Sequence, residues 1–211
     1  VMKIFAISDL HLSSAQPKPM DIFGDGWTDY WNSIETDWKE KVSDDDIVLI
    51  PGDISWAMRL SDALPDLRLI GAMKGRKILL RGNHDYWWNT IGKVRDALPE
   101  GTYAIQNDCV RFGDFLFCGS RGWTCPDKGE LEPEDKKIYL REAERLRLSF
   151  ECMSKMRKEG DKVVCLMHFP PFNVRREDSE YTKLIIKYDI DCVVYGHLHG
   201  RDCRADLYVT K

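Results

Sequence analysis

No apolar run in the 211-residue chain approaches the roughly 18 residues that a membrane-spanning helix requires, so a helical span is excluded. A basic excess is missing too: 31 Lys+Arg face 35 Asp+Glu, for a net charge of −4. Bulk attraction to anionic membranes or nucleic acid is therefore not expected. The absence of a basic stripe argues against long nucleic acid as a partner, because phosphate contacts dominate that affinity. Cysteine occurs seven times (109, 118, 125, 152, 165, 192 and 203), an odd number, and without a C-x-x-C pair. Neither a disulfide framework nor a zinc knuckle is indicated. Reduced core thiols in a cytoplasmic protein are the expectation, with Cys118, Cys165 and Cys192 acting as small apolar residues in strand-like runs. The chain shows no linker, low-complexity stretch or internal repeat, and one domain over residues 1–211 is expected. An apolar run begins almost at once, which predicts no leader peptide.

A hydrophobic fraction of 43% can supply a substantial core. Short apolar runs predict strands at Met2–Ser8, Asp46–Pro51, Arg76–Arg81, Lys162–Met167 and Asp191–Tyr195. Helical spacing predicts helices over Asp29–Val42, Leu60–Met73, Asn89–Leu98, Glu134–Glu159 and Ser179–Tyr188. Pro65 is expected to delay the start of the second of these to Asp62 or beyond. Gly160 is expected to cap the fourth. Tyr103–Gln106, Cys109–Phe112 and Phe115–Gly119 follow too closely for intervening helices. They are read as an antiparallel section with a hairpin turn at Gly113-Asp114. Ala205–Thr210 suggests a last strand. This order suits two packed mixed sheets with helices outside, an α/β architecture.

Histidine occurs only five times, and every copy falls in a short polar cluster after an apolar run. The clusters are Asp9-Leu10-His11, Gly52-Asp53, Gly82-Asn83-His84-Asp85, Met167-His168 and Gly196-His197-Leu198-His199. Strands of an open α/β sheet present ligands at their carboxyl ends, so these clusters should converge on one crevice. Singly, each is weak: D-x-H is more often a turn, a post-strand Asp more often caps a turn, and a lone His is more often structural. Alternation on a strand would direct Asp9 and His11 to one side, and His197 and His199 likewise. Asp53 could bridge two cations through its two oxygens, Asn83 offers an amide oxygen, and Asp85 could orient the His84 imidazole. A donor set of N and O without thiolate favours Mn, Fe or Zn. It is too large for one tetrahedral ion, and two ions about 3.5–4 Å apart would suit phosphate ester displacement.

D-x-H, G-D, G-N-H-D, a later His and G-H-x-H, in this order from Asp9 to Gly200, resemble the calcineurin-like metallophosphoesterases. The resemblance implies a four-layer αββα sandwich and a dinuclear metal centre. The ions would be two divalent or trivalent metals, Mn²⁺ and/or Fe, with Zn²⁺ as a further option. It implies Asp9, His11, Asp53 and His199 at one metal, and Asp53, Asn83, His168 and His197 at the other. It further implies in-line attack by a metal-bound hydroxide on a small phosphodiester or phosphomonoester. His84, paired with Asp85, would then be the non-ligand catalytic histidine at the leaving oxygen.

Trp56 and Trp87 each lie three residues after a candidate site residue and are candidates for an aromatic substrate pocket, although packing is the commoner role for either. Arg59, Arg121, Arg175 and Arg176 are candidate phosphate clamps, Arg59 first because it lies on the loop leaving Asp53. The charged face of Glu134–Glu159 reads as solvated. A nucleotide pyrophosphatase or nuclease of the same family is the alternative enzyme. A non-catalytic interaction scaffold is a third reading, disfavoured because His84 is retained.

Overall fold

The structure, a computed structural model, describes residues 2–18, 20 and 24–199. Four parallel strands form the first sheet in the order β1 (Ile4–Ala6), β2 (Ile47–Pro51), β3 (Arg76–Leu80), β4 (Thr102–Ala104). Helices α1 (Tyr30–Lys41), α2 (Leu60–Gly71) and α3 (Ile91–Ala97) make the three crossovers. The second sheet runs β5 (Cys109–Phe112), β6 (Phe115–Ser120), β7 (Lys162–Met167), β8 (Cys192–Tyr195). Among the described residues only the β5–β6 hairpin is antiparallel; α4 (Pro133–Met156) and α5 (Glu180–Lys187) return the chain for the parallel pairs β6–β7 and β7–β8.

Alternation along the central strands builds the layers. Val48 and Ile50 of β2 and Leu79 of β3 face a core shared with Trp38 of α1, Leu67 of α2 and Val94 of α3. Ile47 and Leu49 of β2, Ile78 and Leu80 of β3, Phe117 of β6, and Val164 and Leu166 of β7 meet in a core between the sheets. Val163, Cys165 and Met167 of β7 face the opposite way, against Leu146 and Phe150 of α4 and Tyr181 of α5. Strands buried on both faces read as continuous apolar runs, which is why Ile47–Pro51 shows no polar alternation. The result is the helix–sheet–sheet–helix sandwich expected for the family resemblance.

Several local expectations change. Residues 102–104 pair parallel with β3, so the antiparallel section is confined to β5 and β6; α3 supplies the crossover that makes this possible. Helix α2 starts at Leu60 and runs through Pro65. The carbonyl that Pro65 cannot serve is that of Ser61 in the exposed first turn, where water can replace it. Helix α4 ends at Met156, and Gly160 (φ 87°) sits in the following turn. The charged face of α4 is solvated in part, as in the Arg147 pairs with Glu144 and Glu151, but Glu142 is only 1% exposed. Residues 205–210 and Cys203 lie outside the described residues. The other six cysteines are free thiols. Among the described residues no helix is long and apolar enough to cross a membrane.

Candidate metal centre

The carboxyl ends of β1, β2, β3, β7 and β8 meet at one rim of the sandwich, tied together by hydrogen bonds between their loops. His168 Nδ1 lies 2.9 Å from the Pro51 carbonyl oxygen. The His197 N–H donates to Asp9 Oδ2 at 2.9 Å. The His84 N–H donates to Asp53 Oδ1 at 2.9 Å. A Cβ at Gly82 would overlap the Asp53 carboxylate, and one at Gly196 would overlap Ser8 and Asp9. Both positions need glycine for close approach.

Strand alternation is not what aligns the ligands. β1 ends at Ala6 and β8 at Tyr195, before Asp9 and His197. Asp9 (φ 56°), His11 (φ 46°), Asp53 (φ 52°) and His197 (φ 68°) instead take the left-handed backbone region. Non-glycine residues enter it at a cost and do so disproportionately at functional sites.

Two ligand groups result: Asp9, His11 and His199, and Asp9, Asp53 and His168. Asp53 Oδ2 lies 3.7 Å from His11 Nε2 and 3.4 Å from His168 Nε2, between the two imidazoles. Asp9 Oδ1 lies 3.8 Å from His11 Nε2 and 3.9 Å from His199 Nε2. Asn83 Oδ1 is 2.7 Å from His168 Nε2. The His197 ring stacks near Phe169 (4.1 Å between centroids) and lies 5.2 Å from the His168 ring.

The donors fit cations. Asp9 Oδ1, Asp53 Oδ2 and both ring nitrogens of His11 are buried without a hydrogen-bond partner. Buried polar atoms are normally satisfied, and a bound cation would satisfy these. Burial pulls the pKa of His11 and of His197 down to about 4, so both stay neutral near pH 7, the form a metal accepts. Burial raises the Asp9 carboxyl pKa. At Asp53 burial pushes upward as well, but the His168 imidazole 3.4 Å away prevails and holds the carboxyl near 2.

His84 is half-buried beside this cluster, its ring 5.9 Å from that of His11 and 4.7 Å from that of Trp56. Its expected partner is elsewhere. Asp85 does not pair with His84, whose Nδ1 has no hydrogen-bond partner. The wholly buried Asp85 carboxylate instead accepts N–H groups from Ile54 (2.8 Å), Ser55 (3.1 Å), Gly82 (2.7 Å) and the Trp87 indole (2.9 Å). It therefore clamps the loops after β2 and β3 together.

Of the aromatic candidates, Trp56 stacks on His11 at 4.8 Å and 23°, with Lys18 Nζ 4.4 Å from its ring centre. Trp87 is 1% exposed within the helix-side core and cannot touch substrate. Apolar packing, not a pocket, accounts for it. Arg59 is exposed at the head of α2 and lines a cavity with Tyr86 and Trp88 rather than the ligand groups. Arg175 is paired with Asp127 and Glu177, which removes it as a clamp. Sequence reasoning overlooked Trp27, whose ring lies 5.8 Å from that of His199 and 6.1 Å from that of His11. It ends a single 3-10 turn, Asp25–Trp27, too short to carry any periodicity that would signal it.

Solved structures similar to this chain include the following two. The phosphopantetheinyl hydrolase of Mycobacterium tuberculosis gives a TM-score of 0.54 at 15% identity, over 94% of this chain and 83% of that one. A protein of unknown function from Aquifex aeolicus gives a TM-score of 0.43 at 19% identity, over 90% and 87%. No curated protein matches the chain. A family profile described as calcineurin-like phosphoesterase matches residues 2–201, spanning every ligand cluster. The chain belongs to that family, and is a metal-dependent phosphoesterase.

Proposed function

We propose that the chain hydrolyses a small phosphodiester or phosphomonoester at a dinuclear centre. The reading rests above all on Asp53 Oδ2, a buried, unpartnered carboxylate oxygen between the imidazoles of His11 and His168. Asp9, His11, Asp53 and His199 would hold one ion, and Asp53, Asn83, His168 and His197 the other. Divalent ions held there, Mn²⁺ or Fe with Zn²⁺ as the further option, would supply Lewis acidity toward the phosphoryl oxygens and a deprotonated water. The chain's own residues do the rest. Asp9 and Asp53 supply negative charge, and the neutral His11 and His197 supply nitrogen donors. Asn83 contributes an amide oxygen. His84, anchored through its backbone N–H to Asp53, delivers a proton to the leaving oxygen, as positioned general acids do. Trp56 walls the site on the side of His11 and His84. The free thiols fit a reducing, cytoplasmic compartment.

The test is a panel of monoesters, diesters, nucleotide anhydrides and a phosphopantetheinyl ester, the last chosen for the similar hydrolase. Each is assayed with Mn²⁺ and with chelator. Turnover is expected with metal and its loss with chelator; chelator-insensitive turnover would overturn the reading.

A further inference from the structure

Beside the metal cluster lies a concentration of arginine that the dinuclear chemistry does not use. The buried Glu142 of α4 receives three guanidinium groups. Its Oε1 lies 2.9 Å from Arg145 Nη1, 3.3 Å from Arg121 Nη2 and 4.0 Å from Arg141 Nε. A fourth arginine, Arg81, joins their field without an ion pair or hydrogen bond among the described residues, and its Nε is buried with no partner. The Nε of Arg121 is likewise buried and unpartnered. Asp85, four residues after Arg81, acts on its charge from a distance, but its oxygens are taken by four N–H donors. Glu142 thus serves three guanidiniums while Asp85 offsets part of the Arg81 charge, and the buried guanidinium nitrogens of Arg81 and Arg121 left without a partner favour an anion nearby. Burial lowers the pKa of both Arg81 and Arg121, in keeping with that shortage.

An open space adjoins these arginines. Arg81, Arg145 and Arg59 line a cavity of about 720 Å³ together with Tyr86, Trp88 and Gln106. Its wall is continuous with the reaction site. The Tyr86 ring lies 6.2 Å from the His84 ring, and Arg81 is three residues before His84. Guanidinium groups grip tetrahedral oxyanions in fork geometry.

We infer that this cavity is a second anion subsite, in which Arg81 and Arg145 hold a phosphate of the substrate distinct from the one cleaved at the metals. The inference rests on the phosphoesterase reading and narrows it to substrates with two phosphate groups.

The test has two arms. Sulfate, a tetrahedral dianion that is no substrate, is titrated calorimetrically into the Mn²⁺-loaded protein. A site is expected whose affinity falls about ten- to a hundredfold in Arg81→Gln and in Arg145→Gln, as for lost hydrogen bonds to a charge. It should persist in Asp53→Asn. No sulfate site, or one lost in Asp53→Asn and kept in both arginine variants, overturns the proposal. The second arm compares kcat/KM for thymidine 5′-(p-nitrophenyl phosphate) with and without a 3′-phosphate. The wild type should prefer the doubly phosphorylated ester, and the preference should collapse in Arg81→Gln and Arg145→Gln. Equal use of both esters by the wild type, or an equal fall for both in the variants, assigns the arginines no second phosphate and overturns it. A protein that binds sulfate at the arginines but turns over neither ester counts against the proposed small-diester substrate and leaves the anion site standing.

Discussion

The carboxylate of Asp85 accepts the indole N–H of Trp87 at 2.9 Å, and neither side chain reaches solvent. With three backbone N–H groups on the same carboxylate, this contact sets the loops that carry Asp53 and His84. Asp85→Ala would leave four buried donors unpaired. It is expected to lower unfolding stability by about 3–5 kcal/mol, the range for breaking a buried charged network. Urea denaturation measures this. Wild-type stability together with lost turnover would return Asp85 to a direct catalytic role.

The two neighbouring tryptophans should part company. Trp87→Ala opens a cavity in the helix-side core and should cost about 3–5 kcal/mol. Trp56→Ala, at a half-buried ring stacked on His11, should spare most of the stability and change KM across a panel of phosphoesters. Thermal denaturation beside steady-state kinetics separates them, and an unchanged KM for Trp56→Ala would remove it from the substrate wall.

Asp53→Asn removes charge from the oxygen between His11 and His168. Metal content, measured by elemental analysis after dialysis, should fall. The loss of metal affinity should exceed the roughly 100-fold ceiling usual for outer-shell changes. Retention of two tightly held ions would rule out the bridging role.

His84→Ala should lower kcat by about 10²–10⁴, the usual contribution of a general acid. Its metal stoichiometry should stay that of the parent protein. Loss of an ion with the side chain would make His84 a ligand instead.

Far from the centre, Arg111 donates to Asp161 at 2.8 Å and the Lys158 N–H does so at 2.6 Å. The Arg111 hydrogen bond, then that of Lys158, holds the Asp161 carboxyl near 2. That is below the unfolded value of about 3.9. A depressed folded-state pKa contributes stability in full above the unfolded value, and the contribution is lost as pH falls toward 2. Asp161→Asn should therefore lower Tm at neutral pH, and its gap from the wild type should close between about pH 4 and 2. A gap constant with pH would show the carboxylate's charge to be irrelevant.

The candidate donors could be picked out without coordinates, because metal donors are few in kind and here all follow apolar runs. Asp9, His11, Asp53, Asn83, His168 and His199 do gather at one rim. The geometric reason given for Asp9 and His11 was nonetheless different from the one found. Both lie beyond β1 in left-handed backbone, a conformation that residue type alone does not announce. Asp85 beside His84 suggested a pair because adjacency in sequence was the only proximity on offer. Four donors from the loops after β2 and β3 compete for that carboxylate, and they outweigh the neighbouring imidazole.

Residue chemistry and its spacing along the chain were enough to determine the α/β class and the family, and to single out a candidate N/O donor set. These depend on local apolar runs and on donor types that survive any change of view. Packing alone decided that Trp87 is core, that residues 102–104 join the parallel sheet, that Arg121, Arg141 and Arg145 meet at one buried glutamate, and that Arg81 shares a cavity wall with Arg145. Contacts between segments dozens of residues apart carry no periodic signature, and burial converts ordinary surface charges into an unbalanced site only once both sheets have closed on each other.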